Sequence, residues 1–176
     1  MADKHKDAIA LLKADHRAVA DLFEKFDATD SKAKQKALAT EICTELVIHT
    51  TIEEEIFYPA LKGKIEDDLL NESYVEHDGA KLLIGQIIAG EPGEAFYEAK
   101  VTVLSEEIAH HVEEEEAPKD GMFAQARESD VDLVALGAAM EARKEELKAR
   151  FKANGIPTPT ARTLKPVEIE LGEPVG

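Results

Sequence analysis

Residues 49–55 read His-Thr-Thr-Ile-Glu-Glu-Glu and residues 111–116 read His-Val-Glu-Glu-Glu-Glu, so the chain twice places a glutamate four positions after a histidine: Glu53 after His49 and Glu115 after His111. Residues four apart on an α-helix share a face, so each pair presents an imidazole and a carboxylate in one direction. Upstream of each lies another matching element, Asp15-His16 followed by Leu22 and Glu76-His77 followed by Leu83. His16 and His77 are 61 positions apart, His49 and His111 are 62 apart. The chain therefore reads as a duplicated helical hairpin, each copy bringing one His and then one His-x-x-x-Glu.

The surrounding sequence is helical throughout. Gly and Pro are sparse before residue 150, while Ala, Leu, Glu and Lys dominate. Ile9, Leu12, Val19, Leu22, Phe23 and Phe26 make the apolar stripe of a first helix that stops near Asp27. A second helix is expected from about Ser31 to Pro59, with Leu38, Ile42, Leu46, Ile52 and Ile56 inward, before Gly63 breaks the chain. A third runs from about Glu66 to Ala89 and meets the Gly90-Glu-Pro-Gly93 turn; a fourth continues to about Ala117, where Pro118 and Gly121 interrupt it. Ser129-Asp130 offers an N-cap for a fifth helix carrying Leu133, Leu136, Met140, Leu147 and Phe151, ended by Gly155 and Pro157. Four prolines in residues 157–176 predict an extended tail. The expected architecture is all-α: an antiparallel up-down four-helix bundle over residues 1–126, an appended helix over 127–155 and an extended or disordered tail over 156–176.

Turn positions test whether the histidines can meet. In an antiparallel hairpin two residues share a level when the turn lies midway between them in sequence, because both helices rise equally per residue. The midpoint of His16 and His49 falls beside the Asp30-Ser31 turn, that of His49 and His77 at Gly63, and that of His77 and His111 at Glu94, within reach of the Gly90–Gly93 turn. All four histidines are thus predicted at one level, with Glu53 and Glu115 following His49 and His111 inward. Four imidazoles and two carboxylates suit two iron or manganese ions bridged by carboxylates; zinc is also compatible, whereas calcium would want more oxygen.

These residues resemble the hemerythrin-like family and its HHE cation-binding repeats, which carry His on the first and third helices and His-x-x-x-Glu, or a close variant, on the second and fourth. The stretch His49 to Leu61 is especially similar, and the resemblance covers about residues 8–126. It implies an up-down bundle in which His16, His49, His77 and His111 are terminal ligands and Glu53 and Glu115 bridge two irons. Two departures stand out. Oxygen carriers of the family have a second histidine four residues after the one on the third helix, where this chain has Lys81, so one iron is expected to keep an open or water-filled position, with Lys81 a modulator beside it. After the acidic run of the fourth helix, Ala117-Pro-Lys-Asp-Gly121 intervenes before Met122-Phe123.

Other residues have plainer readings beside functional ones. His110 competes with His111, since Glu115 is five residues after it and some relatives use that spacing; the internal repeat favours His111. Glu45 and Glu107, each four residues before a candidate ligand, are either acceptors for an imidazole N–H or solvated surface. Tyr58, Tyr74 and Tyr97 suit packing better than ligation, Cys43 suits a core, and His5 a frayed start.

Composition narrows the function. With 21 Lys+Arg against 37 Asp+Glu the net charge is −16, which repels a nucleic acid backbone. A single cysteine allows no internal disulfide, and the charged N-terminal stretch has no apolar run of signal or membrane length, so a cytoplasmic protein with neither nucleic acid nor membrane as partner is expected. The function expected is a non-haem diiron protein that binds, senses or reacts with oxygen, nitric oxide or peroxide, with peroxide decomposition or gas reduction as its enzymatic form. The alternative is iron storage or handling, or a helical interaction module without redox chemistry.

Overall fold

In the computed structural model, which describes residues 7–165, four long helices form a ring and a fifth lies outside it. The long helices are α1 (Ala8–Asp27), α2 (Lys32–Ile52), α4 (Asp67–Ala89) and α5 (Tyr97–Glu116). A π-helical turn (Glu53–Phe57) and the one-turn α3 (Tyr58–Leu61) prolong α2; the short α6 (Met122–Glu128) and the long α7 (Leu133–Asn154) follow the ring. Helix α1 packs on α2, α2 on α4, α4 on α5 and α5 on α1, while α7 lies against α1, α2 and the π turn. No strand occurs among the described residues, and no helix there is long and apolar enough to cross a membrane.

Helix starts follow from side chains that satisfy free backbone N–H groups. Asp7 accepts from Ala10 N at 2.8 Å, and Ser31 caps α2. Helix α7 is capped by Asp132, which accepts from Ala135 N at 3.0 Å, rather than by the expected Ser129-Asp130, because α6 occupies the chain up to Glu128. That short helix was not anticipated, since Pro118 and Gly121 read as interruptions. Gly121 is needed where it stands: a Cβ there would lie 2.6 Å from the Ala117 carbonyl oxygen.

The core joins Ile9, Leu12, Ile42, Leu46, Ile52 and Leu104, each at most 2% exposed; burying a side chain of this kind stabilises by about 1.5–3 kcal/mol. Of the apolar positions expected inward, Leu38, Leu133, Leu136 and Ile56 are only half-buried. Ile56 is displaced by the π turn, whose wider winding brings Phe57 and Tyr58 into the core together and buries the consecutive Glu53 and Glu54. Residues 156–165 run without helix, as expected; His5 and the tail beyond residue 165 lie outside the described residues.

Candidate metal centre

The six residues singled out by spacing meet in the middle of the ring, all buried: His16 from α1, His49 from α2, Glu53 from the π turn, His77 from α4, His111 and Glu115 from α5. They form two groups able to hold an ion, His16, His49, Glu53 and Glu115 in one, and Glu53, His77 and His111 in the other. His16 and His49 face each other with Nε2 atoms 3.2 Å apart, and His77 and His111 at 3.3 Å. Glu53 Oε2 lies 3.2 Å from His49 Nε2 and 3.4 Å from His77 Nε2. Glu115 spans the groups with its two oxygens, Oε2 3.4 Å from His16 Nε2 and Oε1 3.6 Å from His111 Nε2.

Each imidazole turns its other nitrogen to a carboxylate on a neighbouring helix. Nδ1 of His16 is 2.8 Å from Glu116, that of His77 is 3.1 Å from Glu54, and that of His111 is 2.7 Å from Glu76. His49 Nδ1 makes a longer approach of 3.7 Å to Asp15. A carboxylate only accepts, so it holds the ring proton at Nδ1 and leaves a lone pair on Nε2. Two Nε2 lone pairs facing at hydrogen-bond distance repel unless a cation lies between them. His49 Nδ1, Glu53 Oε1 and Glu115 Oε2 are also buried with no hydrogen-bond partner among the described residues, a cost that cations would offset. Burial, reinforced by the neighbouring His16, drives His49 down to about 4, keeping it neutral at pH 7. Burial and the charge of Glu115 push the Glu53 carboxyl well above its ordinary range. Against the lowering effect of burial, Glu115 and the outer carboxylates Glu116 and Glu76 raise His16 and His111. A donor set that crowds two carboxylates among four imidazoles, one of them held neutral, fits metal ions of the iron, manganese or zinc type.

Tyr58 lies at this centre too. Its hydroxyl is 3.1 Å from Glu115 Oε1, 3.2 Å from His77 Nε2 and 3.5 Å from Glu53 Oε2. Burial and the charges of Glu115 and Glu53 raise the phenol well above its ordinary value, so it keeps its proton and donates to a carboxylate. The sequence favours packing for Tyr58 over an approach to a metal; in an unbroken helix position 58 would turn away from Glu53, and the π turn brings residues five apart into line. Tyr74 is an edge-on neighbour of Tyr58 with ring centroids 5.3 Å apart, and Tyr97 packs under Lys36.

Lys81 does not reach the cluster. Its ammonium bonds Glu54 Oε1 at 2.5 Å and Asp78 Oδ1 at 3.3 Å, turning aside to the carboxylate that also holds His77. His110 is exposed and pairs with Glu114 at 3.3 Å, so the inward imidazole is His111. Glu107 is exposed, Glu45 is half-buried, and neither bonds an imidazole among the described residues. The actual acceptors come from neighbouring helices because each Nδ1 points out into an interhelical seam. Their signal was adjacency: an acid directly before each lone His (Asp15, Glu76) and directly after each inward Glu (Glu54, Glu116). Phe123 closes one end, stacked on His16 with ring centroids 5.8 Å apart.

A small cavity of about 10 Å³ touches all four histidines and is walled by Val19, Leu46, Ile108 and Val112. An outer cleft between α1 and α5 shares His16, Ile108 and Val112 with it.

Comparison with known proteins agrees with the helical fold and with a cation-binding domain. The family model described as the hemerythrin HHE cation binding domain matches residues 7–118. A DNA nickase from Nostoc sp. is 27% identical over 107 residues, 61% of this chain, and the chain spans only 30% of that relative's length. The crystal structure of a hemerythrin HHE cation binding domain-containing protein from Mycobacterium kansasii superposes with a TM-score of 0.69 at 24% identity, covering 86% of this chain and 95% of that one. With the family model spanning well over half of its length, this chain belongs to the hemerythrin HHE cation-binding domain family.

Proposed function

We propose that this protein holds two iron ions between His16, His49, His77, His111, Glu53 and Glu115, and that it binds or reacts with a small molecule: oxygen, nitric oxide or peroxide. The observation that carries the proposal is the facing of two pairs of Nε2 lone pairs across a carboxylate pair that spans them. Iron bound there would supply a redox couple and coordination positions for a diatomic gas or peroxide.

The chain's own residues do the rest. Glu54, Glu76, Glu116 and Asp15 fix ring orientation and tautomer from outside. Tyr58 keeps a proton beside Glu115 and His77, where it can be delivered to or recovered from a bound oxygen or nitrogen atom. Lys81 acts through Glu54 as a positioning residue for His77. Ile108 and Val112 separate the outer cleft from the inner cavity and admit small, weakly polar molecules in preference to solutes of any size.

Bulk iron storage would need volume, and a 10 Å³ cavity offers about the space of one water. The −16 charge weighs against a nucleic acid partner. Anaerobic titration of the reduced, iron-loaded protein with oxygen, nitric oxide and peroxide tests the proposal. A stoichiometric spectral change with at least one of them is expected; iron that is labile and spectroscopically indifferent to all three would overturn it in favour of iron handling.

A further inference from the structure

The segment after α7 is fastened by one carboxylate. Asp78 Oδ2 accepts from the backbone N–H of Arg162 at 2.7 Å and of Leu164 at 3.1 Å, from the N–H of Thr163, and from the Thr163 hydroxyl at 2.7 Å. These donors outweigh burial and hold the Asp78 carboxyl well below its ordinary range. The latch pins residues 156–164 over α2 and α7 and leaves between them a cleft of about 290 Å³. None of the six candidate metal ligands lines it.

The cleft reverses the sign of its surroundings. Lys81, Arg143, Arg150 and Arg162 line it against only Glu54 and Glu55, a local balance of 4 − 2 = +2 on a chain of net charge −16. Lys81 and Arg143 are committed, to Glu54 and to Glu55 respectively. Arg162 has only a long 3.4 Å contact with Glu54, and Arg150 makes no ion pair among the described residues. Two guanidinium groups are thus available at the rim, and their planar fork matches a carboxylate or another oxyanion. The remaining wall is apolar: Val47, Leu147, Phe151, Pro157 and Pro159.

We propose that this cleft is a binding site for a small organic acid, whose carboxylate is held by Arg150 and Arg162 and whose apolar body lies against Phe151, Leu147 and the two prolines. The tail supplies both a wall and a ligating side chain, so Asp78 governs affinity without touching the acid. The site stands whatever the inner cluster binds.

Calorimetric titration of the full-length, metal-loaded protein with benzoate, and separately with inorganic phosphate, tests the proposal. One benzoate per chain is expected, with phosphate weaker. The double substitution Arg150→Ala/Arg162→Ala, at two exposed positions, should weaken benzoate at least about tenfold, about 1.4 kcal/mol, and Asp78→Asn should weaken it by releasing the wall; Arg150→Ala alone, at a side chain that touches none of the carboxylates behind the cluster, should weaken it with metal content unchanged. Absence of binding, or binding indifferent to the double substitution, overturns the proposal. Phosphate binding as tightly as benzoate overturns the organic-acid assignment. Loss of benzoate binding in a metal-depleted His49→Ala variant with both arginines intact would put the acid on the metal and likewise overturn it.

Discussion

The two hairpins carry matching candidate ligands but not the same support. In the first, formed by α1, α2 and the prolongation of α2, the chain winds through a π turn that adds Tyr58 and Glu54 to the cluster. In the second, α4 and α5 are plain α-helices, and Glu116 stays half-buried. The C-terminal region reinforces this difference. Lys144 of α7 bonds Asp15, the carboxylate facing His49, and Arg162 adds a long 3.4 Å contact to Glu54, the carboxylate behind His77 that Lys81 of α4 already bonds. Behind His16, Glu116 has Lys13 at 2.9 Å; behind His111, Glu76 has no Lys or Arg partner among the described residues. A duplication that places two matching groups of candidate ligands has thus been made unequal by the helix and tail that follow the ring. The lesson is that the ligand pattern sets what can bind, while the outer carboxylates and their cations set how differently the two positions behave.

The largest effect should come from removing one of the supported carboxylates. Glu54→Gln leaves Lys81 buried with Asp78 alone, and breaking a buried pair costs about 3 kcal/mol or more. Glu76→Gln, at a partly exposed site without a buried cation, should cost under about 1 kcal/mol in stability. Both variants should weaken metal binding by about 10- to 100-fold. Urea unfolding with and without metal separates the two losses; equal destabilisation by both would erase the difference between hairpins.

Removing the metal should lower stability by roughly 3 kcal/mol if it had been present at a few hundred times its dissociation constant, while helix content stays largely intact because the apolar core does not depend on the ligands. Hydrogen exchange in the apo protein sharpens the comparison: α5 should lose protection before α2, which α7 braces. Collapse of all helix signal by circular dichroism would show that the core has been overrated.

A smaller change is expected from Tyr58→Phe. It removes the donor to Glu115 at a cost of about 1 kcal/mol, with both metal ions retained and the reaction with peroxide slowed. Unaltered reaction kinetics would reduce Tyr58 to packing. Smallest is the effect at Cys43. Burial pushes its thiol up to about 12, so alkylation of the native protein at pH 8 should proceed only at the rate of unfolding. Because the folded thiol holds its proton above the ordinary value, its contribution to stability is complete below about pH 9 and declines as the pH rises toward 12. Rapid alkylation under native conditions would contradict the burial of this residue.

Much of the scaffold and the inner cluster was legible because both rest on periodicity. Apolar spacing marked the long helices, and turn midpoints put His16, His49, His77 and His111 at one level without any packing information. What periodicity of 3.6 cannot express is a change of period: the π turn moved Ile56 outward and Tyr58 inward. Contacts between distant segments were equally hidden. Lys144 meets Asp15, 129 residues away, and Asp78 meets Thr163, 85 residues away. The acceptors behind the imidazoles fell between these cases, since Asp15, Glu54, Glu76 and Glu116 adjoin the ligands in sequence but serve histidines on other helices.

The most direct test of the account is the stoichiometry of iron in anaerobically reconstituted protein, measured by elemental analysis alongside His49→Ala and His111→Ala. Two irons per chain are predicted for the parent, with sharp loss in each variant. Retention of both ions in both variants, or a parent that saturates with none, would contradict the assignment of the four histidines and two glutamates as a shared metal centre.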